Sequence, residues 1–520
     1  MLTGNPAELP AMADVVIVGS GAVGLTMARH LKAKGRSVVI VESGSRTIDR
    51  NYRRANQGVI SGRAYKGLED GRYRGLGGTT RLWGGQLMRL SDGLLGPVPE
   101  LGKPGWLVSR QELARYEDEA LHLLGMGSVL DTAPKAWAEK ARISPLLGLD
   151  LELAQSFWMP RPDFSQLFAQ QLKAPDGPVV LCDHEVTGLV CDPASGRVTG
   201  VSIRGADGGM TVSGREIVLA GGTLENLRLL LRAQAALPGT ALAANRNVGR
   251  WFVDHLHGNL GTLQTHDAAM MGRFFDTNYG LGGLKVSTKL RLSNRLNAKQ
   301  PMAACAITVT GPVSLGEVTR ELGTLLKRVA SRSQTGGNSP VAIGERLRLL
   351  VPLIWSYARH QRSGTFLANK ANVGLEVEQL PCADSYVALE SGVPADEARL
   401  DVHWQLGGRE VEAIAELCQR FKQWCKTTGY AELDYDPQID QLDPAVLDRM
   451  HDSSHHMGGA RMAGTADDGV VDSDLAVFGM PGLSVAGAAV FPSGGFANPT
   501  LSAMALGLRL ADRLAQETGA

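Results

Sequence analysis

The chain has 520 residues, with 53 lysines and arginines balanced by 53 aspartates and glutamates. That neutrality excludes partners held by net charge, such as nucleic acid or an anionic membrane surface, and the length makes two domains the natural prior. No apolar run approaches the roughly 18 residues of a bilayer span. The best, 349–355, is short and contains Pro352.

Residues 1–13 have no cationic region and no apolar core, which predicts no secretory signal and a cytoplasmic protein. The six cysteines, at 182, 191, 305, 382, 418 and 425, form no CxxC pair. This predicts a reducing compartment and no metal, iron–sulfur or dithiol centre.

The run Asp14-Val15-Val16-Ile17-Val18 predicts a buried strand. Gly19-Ser20-Gly21-Ala22-Val23-Gly24 follows, then a helix over 25–34 stopped by Gly35, and a second strand over 37–42 ending at Glu42. In such a βαβ unit Gly19 permits the tight turn, Gly21 lets the backbone approach a pyrophosphate, and Gly24 allows helix and sheet to pack closely. Phosphates then sit on a helix N-terminus. Glu42 at the strand end is placed for a ribose diol and disfavours a 2′-phosphate.

Five glycines over 73–86, with Arg81, Leu82 and Trp83 among them, describe a loop passing close to a bulky ligand. A strand over 178–181 leads to His184-Glu185-Val186. A hairpin joins 198–203 and 210–212 around Asp207-Gly208-Gly209. A buried strand over 215–222 then feeds a helix over 223–232. The dinucleotide domain is therefore discontinuous.

From about 262 to 445 the pattern changes. Strands over 284–290, 303–309, 386–389 and 399–404 mix with helices near 315–330, 341–361 and 409–427. This predicts a substrate domain on a mainly antiparallel sheet with helices over one face. Residues 335–339 read as a mobile loop. Arg346 and Arg348 read as a solvated helix face, and Cys418 and Cys425 as small buried side chains on one helix face. Domain assignment follows as 12–110, 165–261 and 446–520 for the dinucleotide domain, and 111–164 and 262–445 for the substrate domain.

The tail carries His455-His456-Met457-Gly458-Gly459-Ala460-Arg461-Met462, a strand over 483–486, and Gly494-Gly495-Phe496-Ala497-Asn498-Pro499-Thr500 opening a helix over 501–516. Asparagine before proline predicts a helix cap with proline at the first helical position. A histidine titrates near working pH and suits a proton acceptor.

Together these segments resemble the glucose–methanol–choline (GMC) family of flavoprotein oxidoreductases. The resemblance rests on the glycine fingerprint with Glu42, the glycine loop from Gly75 to Gly85, Ile217 to Gly222 with Leu224-Glu225-Asn226, Asn247-Val248-Gly249-Arg250 before Asp254-His255, and above all the His and Asn segments of the tail. It implies an α/β, Rossmann-like FAD-binding fold of the p-hydroxybenzoate hydroxylase kind with a second, substrate domain. It implies oxidation of a CH–OH group, with the hydride passing to flavin N5. The register of Gly458 and Met462 selects His455 as base, over His456 and His451, and puts Asn498 at the second catalytic position.

The cofactor residues implied are Gly19, Gly21, Gly24, Glu42, Gly77, Gly78, Thr79, Trp83, Gly84, Val186, Gly221, Gly487, Asn498, Pro499 and Thr500. No histidine lies between Gly75 and Gly85, where some members attach the flavin, so noncovalent FAD is expected. The turn Ala486-Gly487-Ala488 replaces an acid that many relatives carry. The helix after Pro499 is expected to aim its positive end at the flavin, and Arg461 either supports that charge or forms a structural salt bridge. The compact final motif points to a sugar or glycoside hydroxyl. A non-sugar alcohol, or a flavin-containing lyase using His455 for acid–base work, are the alternatives. The electron acceptor is open among oxygen, a quinone and a redox protein.

Overall fold

The computed structural model describes residues 2–48, 56–127, 129–206, 208–279, 284–299, 302–310, 354–355, 367 and 369–517. The helices expected near 315–330 and 341–361, the loop expected at 335–339, and Arg346 and Arg348 fall essentially outside the described residues.

One sheet carries the N-terminal fingerprint. Its strands run in the order Leu2–Thr3, Val179–Leu181, Val38–Val41, Ala13–Val18, Gly208–Leu219, Val198–Gly205 and Glu185–Cys191, with Leu483–Val485 also paired to Gly208–Leu219. Val15, Val16, Ile17 and Ile40 are fully buried, as expected of parallel strands covered on both faces. The helices Ala22–Ala33 and Thr500–Glu517 pack against each other on this sheet.

The two strands expected at 210–212 and 215–222 are one, Gly208–Leu219, which stops before Ala220. Its first half pairs antiparallel with Val198–Gly205, and its second half pairs parallel with Ala13–Val18 and Leu483–Val485. The polar stretch Ser213-Gly214-Arg215 reads as an interruption in sequence. In space Gly214 lies tight against Val16, where a Cβ would approach Cγ2 to 2.7 Å, so the strand continues through the change of partners.

Among the described residues the second sheet has ten strands, all pairs antiparallel: seven run in the order Ala431–Tyr435, His255–Thr265, Lys370–Glu378, Cys305–Thr310, Lys285–Leu292, Leu151–Trp158 and Gln86–Leu87, and three short ones pair alongside them. The helix Glu410–Thr428 covers it with Leu417, Cys418, Phe421 and Cys425 buried. Cys418 and Cys425 thus share the inner face and are unpaired.

Two expected boundaries meet the structure badly. The one at 110/111 falls at the start of the helix Arg110–Leu123, which packs on Thr500–Glu517 and not on the second sheet. Ser502 Oγ donates to Glu117 Oε1 at 2.9 Å across that contact. The boundary at 261/262 cuts the strand His255–Thr265. Sequence alternation locates strands, but the packing partner of an amphipathic helix is a tertiary choice. Among the described residues no helix is long and apolar enough to cross a membrane.

Candidate active site

The site is organised by one buried carboxylate. Asp254 has no exposed surface and immediately precedes the strand His255–Thr265. Its oxygens accept five hydrogen bonds: from the Tyr65 hydroxyl at 2.7 Å, the His255 N–H at 2.7 Å, the His455 N–H at 2.9 Å, and the Ser453 hydroxyl and N–H at 3.1 and 3.2 Å. Burial pushes this carboxyl up to about 6, against the opposing hydrogen bonds. Burial and the neighbouring Asp254 together push the Tyr65 phenol well above its ordinary value.

Asp254 therefore hangs the backbone of His455 over a cavity of about 740 Å³. His455 Nδ1 lies 2.9 Å from His255 Nδ1 and 3.0 Å from Ser453 Oγ. Its Nε2 lies 3.1 Å from Asn498 Nδ2. Burial lowers the His455 pKa to about 4, so the ring is neutral at neutral pH. The competing histidines are committed elsewhere. His456 Nε2 lies 2.8 Å from the Gly67 carbonyl and must donate to it, and burial holds its pKa down at about 3. His451 Nδ1 contacts the Asp452 carbonyl at 2.8 Å and is exposed.

Asn498 was expected to cap the last helix, and it does not. The helix is Thr500–Glu517, with the Ala503 N–H on the Pro499 carbonyl at 2.9 Å, so proline precedes the first helical residue. The Asn498 side chain turns into the cavity instead, where its buried Oδ1 has no partner. An unsatisfied buried carbonyl is costly, and a ligand hydroxyl in the cavity would satisfy it.

Of the fifteen residues expected at the cofactor, thirteen line this same cavity: Gly19, Gly21, Glu42, Gly78, Thr79, Trp83, Gly84, Val186, Gly221, Gly487, Asn498, Pro499 and Thr500. Gly24 and Gly77 stand behind the wall. A Cβ on Gly24 would collide with the Gly19 carbonyl, and the Gly77 N–H is spent on Ser20 O at 3.1 Å. Gly21, Gly222 and Gly487 are different, since a Cβ there would meet nothing within 4 Å. Gly222 and Gly487 also hold positive φ, at 87° and 116°, whereas Gly21 has neither a steric nor a backbone reason inside the protein; together they form a cradle that a bulky ligand would fill.

Glu42 is buried and accepts from Ser20 N–H at 3.0 Å, Ser20 Oγ at 2.6 Å and Gly44 N–H at 2.9 Å. It therefore also ties the fingerprint turn to the second strand. Arg461 does not line the cavity. Its guanidinium stacks on Trp251 at 4.1 Å and donates to the Asp468 carbonyl, and neither role expected of it is seen.

The second sheet closes the cavity opposite the fingerprint with residues that sequence reading did not single out. His257 and Glu376 are register partners on adjacent strands, and Glu376 pairs with Lys289, whose side chain is 2 % exposed. Gln86 and Trp158 face the cavity from neighbouring strands. The Trp158 N–H donates to Ser287 Oγ at 2.9 Å, and the Lys285 ammonium lies 4.2 Å from its ring. A usable signal was present for His257: it stands two residues after His255 on one strand and so shares its face.

Residues 14–252 match the model of the FAD dependent oxidoreductase family, and residues 381–507 match the model of GMC oxidoreductase. C-glycoside 3-oxidase of Arthrobacter globiformis is 33% identical over 145 residues, 28% of this chain and 25% of that one. C-glycoside 3-oxidase of Microbacterium trichothecenolyticum is 36% identical over 128 residues, 24% of this chain and 22% of that one. The matched segment thus spans about a quarter of the length of these curated relatives. The whole fold resembles a crystal structure of formate oxidase, with TM-score 0.58 and 17% identity over 97% of this chain and 98% of that one. It equally resembles pyridoxine 4-oxidase from Mesorbium loti, with TM-score 0.58 and 15% identity over 96% and 99%. An FAD dependent oxidoreductase match that carries Gly21 and Gly222 of the cradle, followed by a GMC oxidoreductase match that carries Gly487, His455 and Asn498, makes this chain an FAD-dependent oxidoreductase of the GMC type.

Proposed function

We propose that the protein oxidises a hydroxyl group of a sugar or glycoside to a carbonyl, with His455 as the base, Asn498 as its partner, and noncovalently held FAD. The observation that carries this reading is the pairing of His455 Nε2 with Asn498 at 3.1 Å inside the cavity that the glycine cradle also lines. FAD, when bound, supplies the two-electron acceptor for the hydride. Gly21, Gly78 and Gly487 would admit it at the cavity wall, Glu42 would meet its ribose, and the start of the helix at Thr500 would favour its negative charge.

The chain's own residues account for the proton. A neutral His455 takes the hydroxyl proton on Nε2, and burial keeps it neutral and ready at working pH. The Asn498 amide holds the same oxygen and stabilises its developing negative charge. Glu376, His257 and Gln86, with the Trp158 ring, offer the polar groups and flat apolar face that a sugar ring uses. The partial matches to C-glycoside 3-oxidases support a glycoside over a simple alcohol.

Noncovalent attachment is supported by the lack of histidine between Gly75 and Gly85. Release of the yellow chromophore on denaturation tests it. A cytoplasmic location is supported by six unpaired cysteines. We divide the chain into a cofactor domain on the first sheet and a substrate domain on the second, with the helix Arg110–Leu123 on the cofactor side.

The test of the function is the visible spectrum of purified protein under anaerobic conditions, before and after addition of sugars, glycosides and simple alcohols. Bleaching of the flavin band by sugars or glycosides is the expected result. Bleaching only by non-sugar alcohols would overturn the substrate class. An oxidised flavin that no hydroxyl compound reduces would turn the assignment toward a lyase.

A further inference from the structure

The base has a neighbour to which the reaction itself assigns no step. His255 is 2 % exposed and opens the strand His255–Thr265 of the second sheet. Its Nδ1 lies 2.9 Å from the Nδ1 of His455, with the rings crossed at 77° and their centroids 4.9 Å apart. Two ring nitrogens at that distance share one proton, so one donates and the other accepts. The choice sets the chemistry. If His255 donates, His455 carries its own proton on Nε2 and presents no lone pair to the cavity. If His455 donates, its lone pair lies on Nε2, beside Asn498.

Two contacts select the second arrangement, and a third holds the rings in place for it. The Asn498 amide is oriented with Nδ2 toward His455 Nε2 at 3.1 Å, which requires a lone pair there. Ser453 Oγ can give its proton to Asp254 Oδ1 at 3.1 Å and is then a second acceptor for His455 Nδ1–H at 3.0 Å. Both histidine backbones donate to the same Asp254 oxygen, at 2.7 and 2.9 Å, so the two rings are held in one frame. The charged groups beyond them, Glu376 and Lys289, are paired with each other.

We propose that His255 is a positioning residue for the base: its Nδ1 accepts the Nδ1 proton of His455 and so keeps the His455 lone pair on Nε2, facing Asn498 and the cavity. This rests on the assignment of His455 as base made above. After the hydroxyl proton arrives on Nε2, the same acceptor holds the Nδ1 proton of the imidazolium, so no proton has to leave the pair during the reaction.

The test is long-range proton–nitrogen NMR on FAD-containing protein labelled with ¹⁵N-histidine, with the His455 signals identified by their loss in His455→Gln. Wild type is expected to carry the His455 proton on Nδ1. His255→Asn places an amide oxygen near the former Nδ1 and is expected to keep that tautomer. His255→Phe removes the acceptor and is expected to move the proton to Nε2. Flavin reduction by substrate in His255→Phe should fall on the order of tenfold or more, while FAD content stays unchanged and His255→Asn recovers most of the rate. A His455 proton on Nε2 in wild type, or the same tautomer in all three proteins, overturns the proposal. Should His255→Phe not fold, His255→Leu, which also lacks an acceptor, takes its place. The NMR result needs no substrate, so a flavin that no hydroxyl compound bleaches would sink the functional reading without altering this answer.

Discussion

Asn498 Nδ2 lies 3.1 Å from His455 Nε2, although the two residues reach the cavity from opposite directions. His455 comes off the second sheet after the short strand His451–Asp452, and Asn498 precedes the helix Thr500–Glu517 that packs on the first. The pair therefore sits where the two sheets meet, with one member anchored to each. Removing His455 as His455→Gln should slow flavin reduction by about 10²- to 10⁴-fold. Asn498→Ala should slow it by about 10²-fold. Stopped-flow absorbance on FAD-loaded protein measures both, and a His455 variant as fast as wild type would remove the base from this position.

The rate of flavin reduction should depend little on pH above about 5. The base must be neutral to accept a proton, and burial holds the His455 pKa at about 4. Protonation therefore inactivates it only as pH falls through that value. A rising limb centred near 6.5 in a pH–rate profile would show that His455 is solvated in the working enzyme.

Stability should fall between pH 7 and pH 5. His455 and His456 have folded pKa values of about 4 and 3, below the ordinary 6.5, so the unfolded chain binds more protons in this window. Their neutral burial is stabilising above about pH 6.5 and is lost progressively as pH drops toward the folded values. The loss is about 2 kcal/mol for each at pH 5, and His255 acts in the same direction. Asp254 and Asp276, both raised to about 6 by burial, oppose it by about 1 kcal/mol each. Urea midpoints at the two pH values should show the net decrease, and His456→Gln should flatten it.

Substitution at Asp254 should unfold or badly loosen the site. In Asp254→Leu the N–H groups of His255, His455 and Ser453 and the hydroxyls of Tyr65 and Ser453 all lose their acceptor inside the protein. An orphaned buried donor costs about 1–3 kcal/mol, so the variant should be among the most destabilising single changes. Tyr65→Phe removes one donor and leaves four, and should cost only about 1 kcal/mol. Equal losses from the two substitutions would mean that Asp254 does not organise this loop.

Two glycines of the fingerprint should separate folding from cofactor binding. A Cβ at Gly21 meets nothing within 4 Å and projects into open cavity, so Gly21→Ala should fold normally and lose FAD. A Cβ at Gly24 runs into the Gly19 carbonyl, so Gly24→Ala should lower the melting temperature even of the FAD-free protein. Retention of full FAD by Gly21→Ala would show that the ligand does not approach the backbone there.

Much of this protein was legible in its chain. The apolar runs 14–18 and 37–42 around Gly19, Gly21 and Gly24 specify a parallel strand pair and a turn through local sterics and burial alone, and both strands lie where expected. Period-2 alternation likewise marked two strands of the second sheet, Lys285–Leu292 and Cys305–Thr310, but the other two it marked, Tyr386–Leu389 and Leu400–His403, pair with each other and with Val59–Ile60 in a separate small sheet. What local patterns could not settle was which element packs on which. The helix Arg110–Leu123 packs on Thr500–Glu517, and Gly208–Leu219 runs unbroken between two sets of partners.

The same limit applies at the site. The family resemblance marked His455 and Asn498, but Asn498 also carries the local signature of a helix cap. Only the tertiary structure shows that its side chain faces the cavity and caps nothing. The helix begins at Thr500, which frees the Asn498 side chain, and its Nδ2 meets His455 Nε2 across the cavity. Asp254, Tyr65, His255, Glu376 and Lys289 come from four stretches of chain with no shared spacing. Their meeting is set by the register of the second sheet and by the burial of one carboxylate, neither of which is written in any local run of residues.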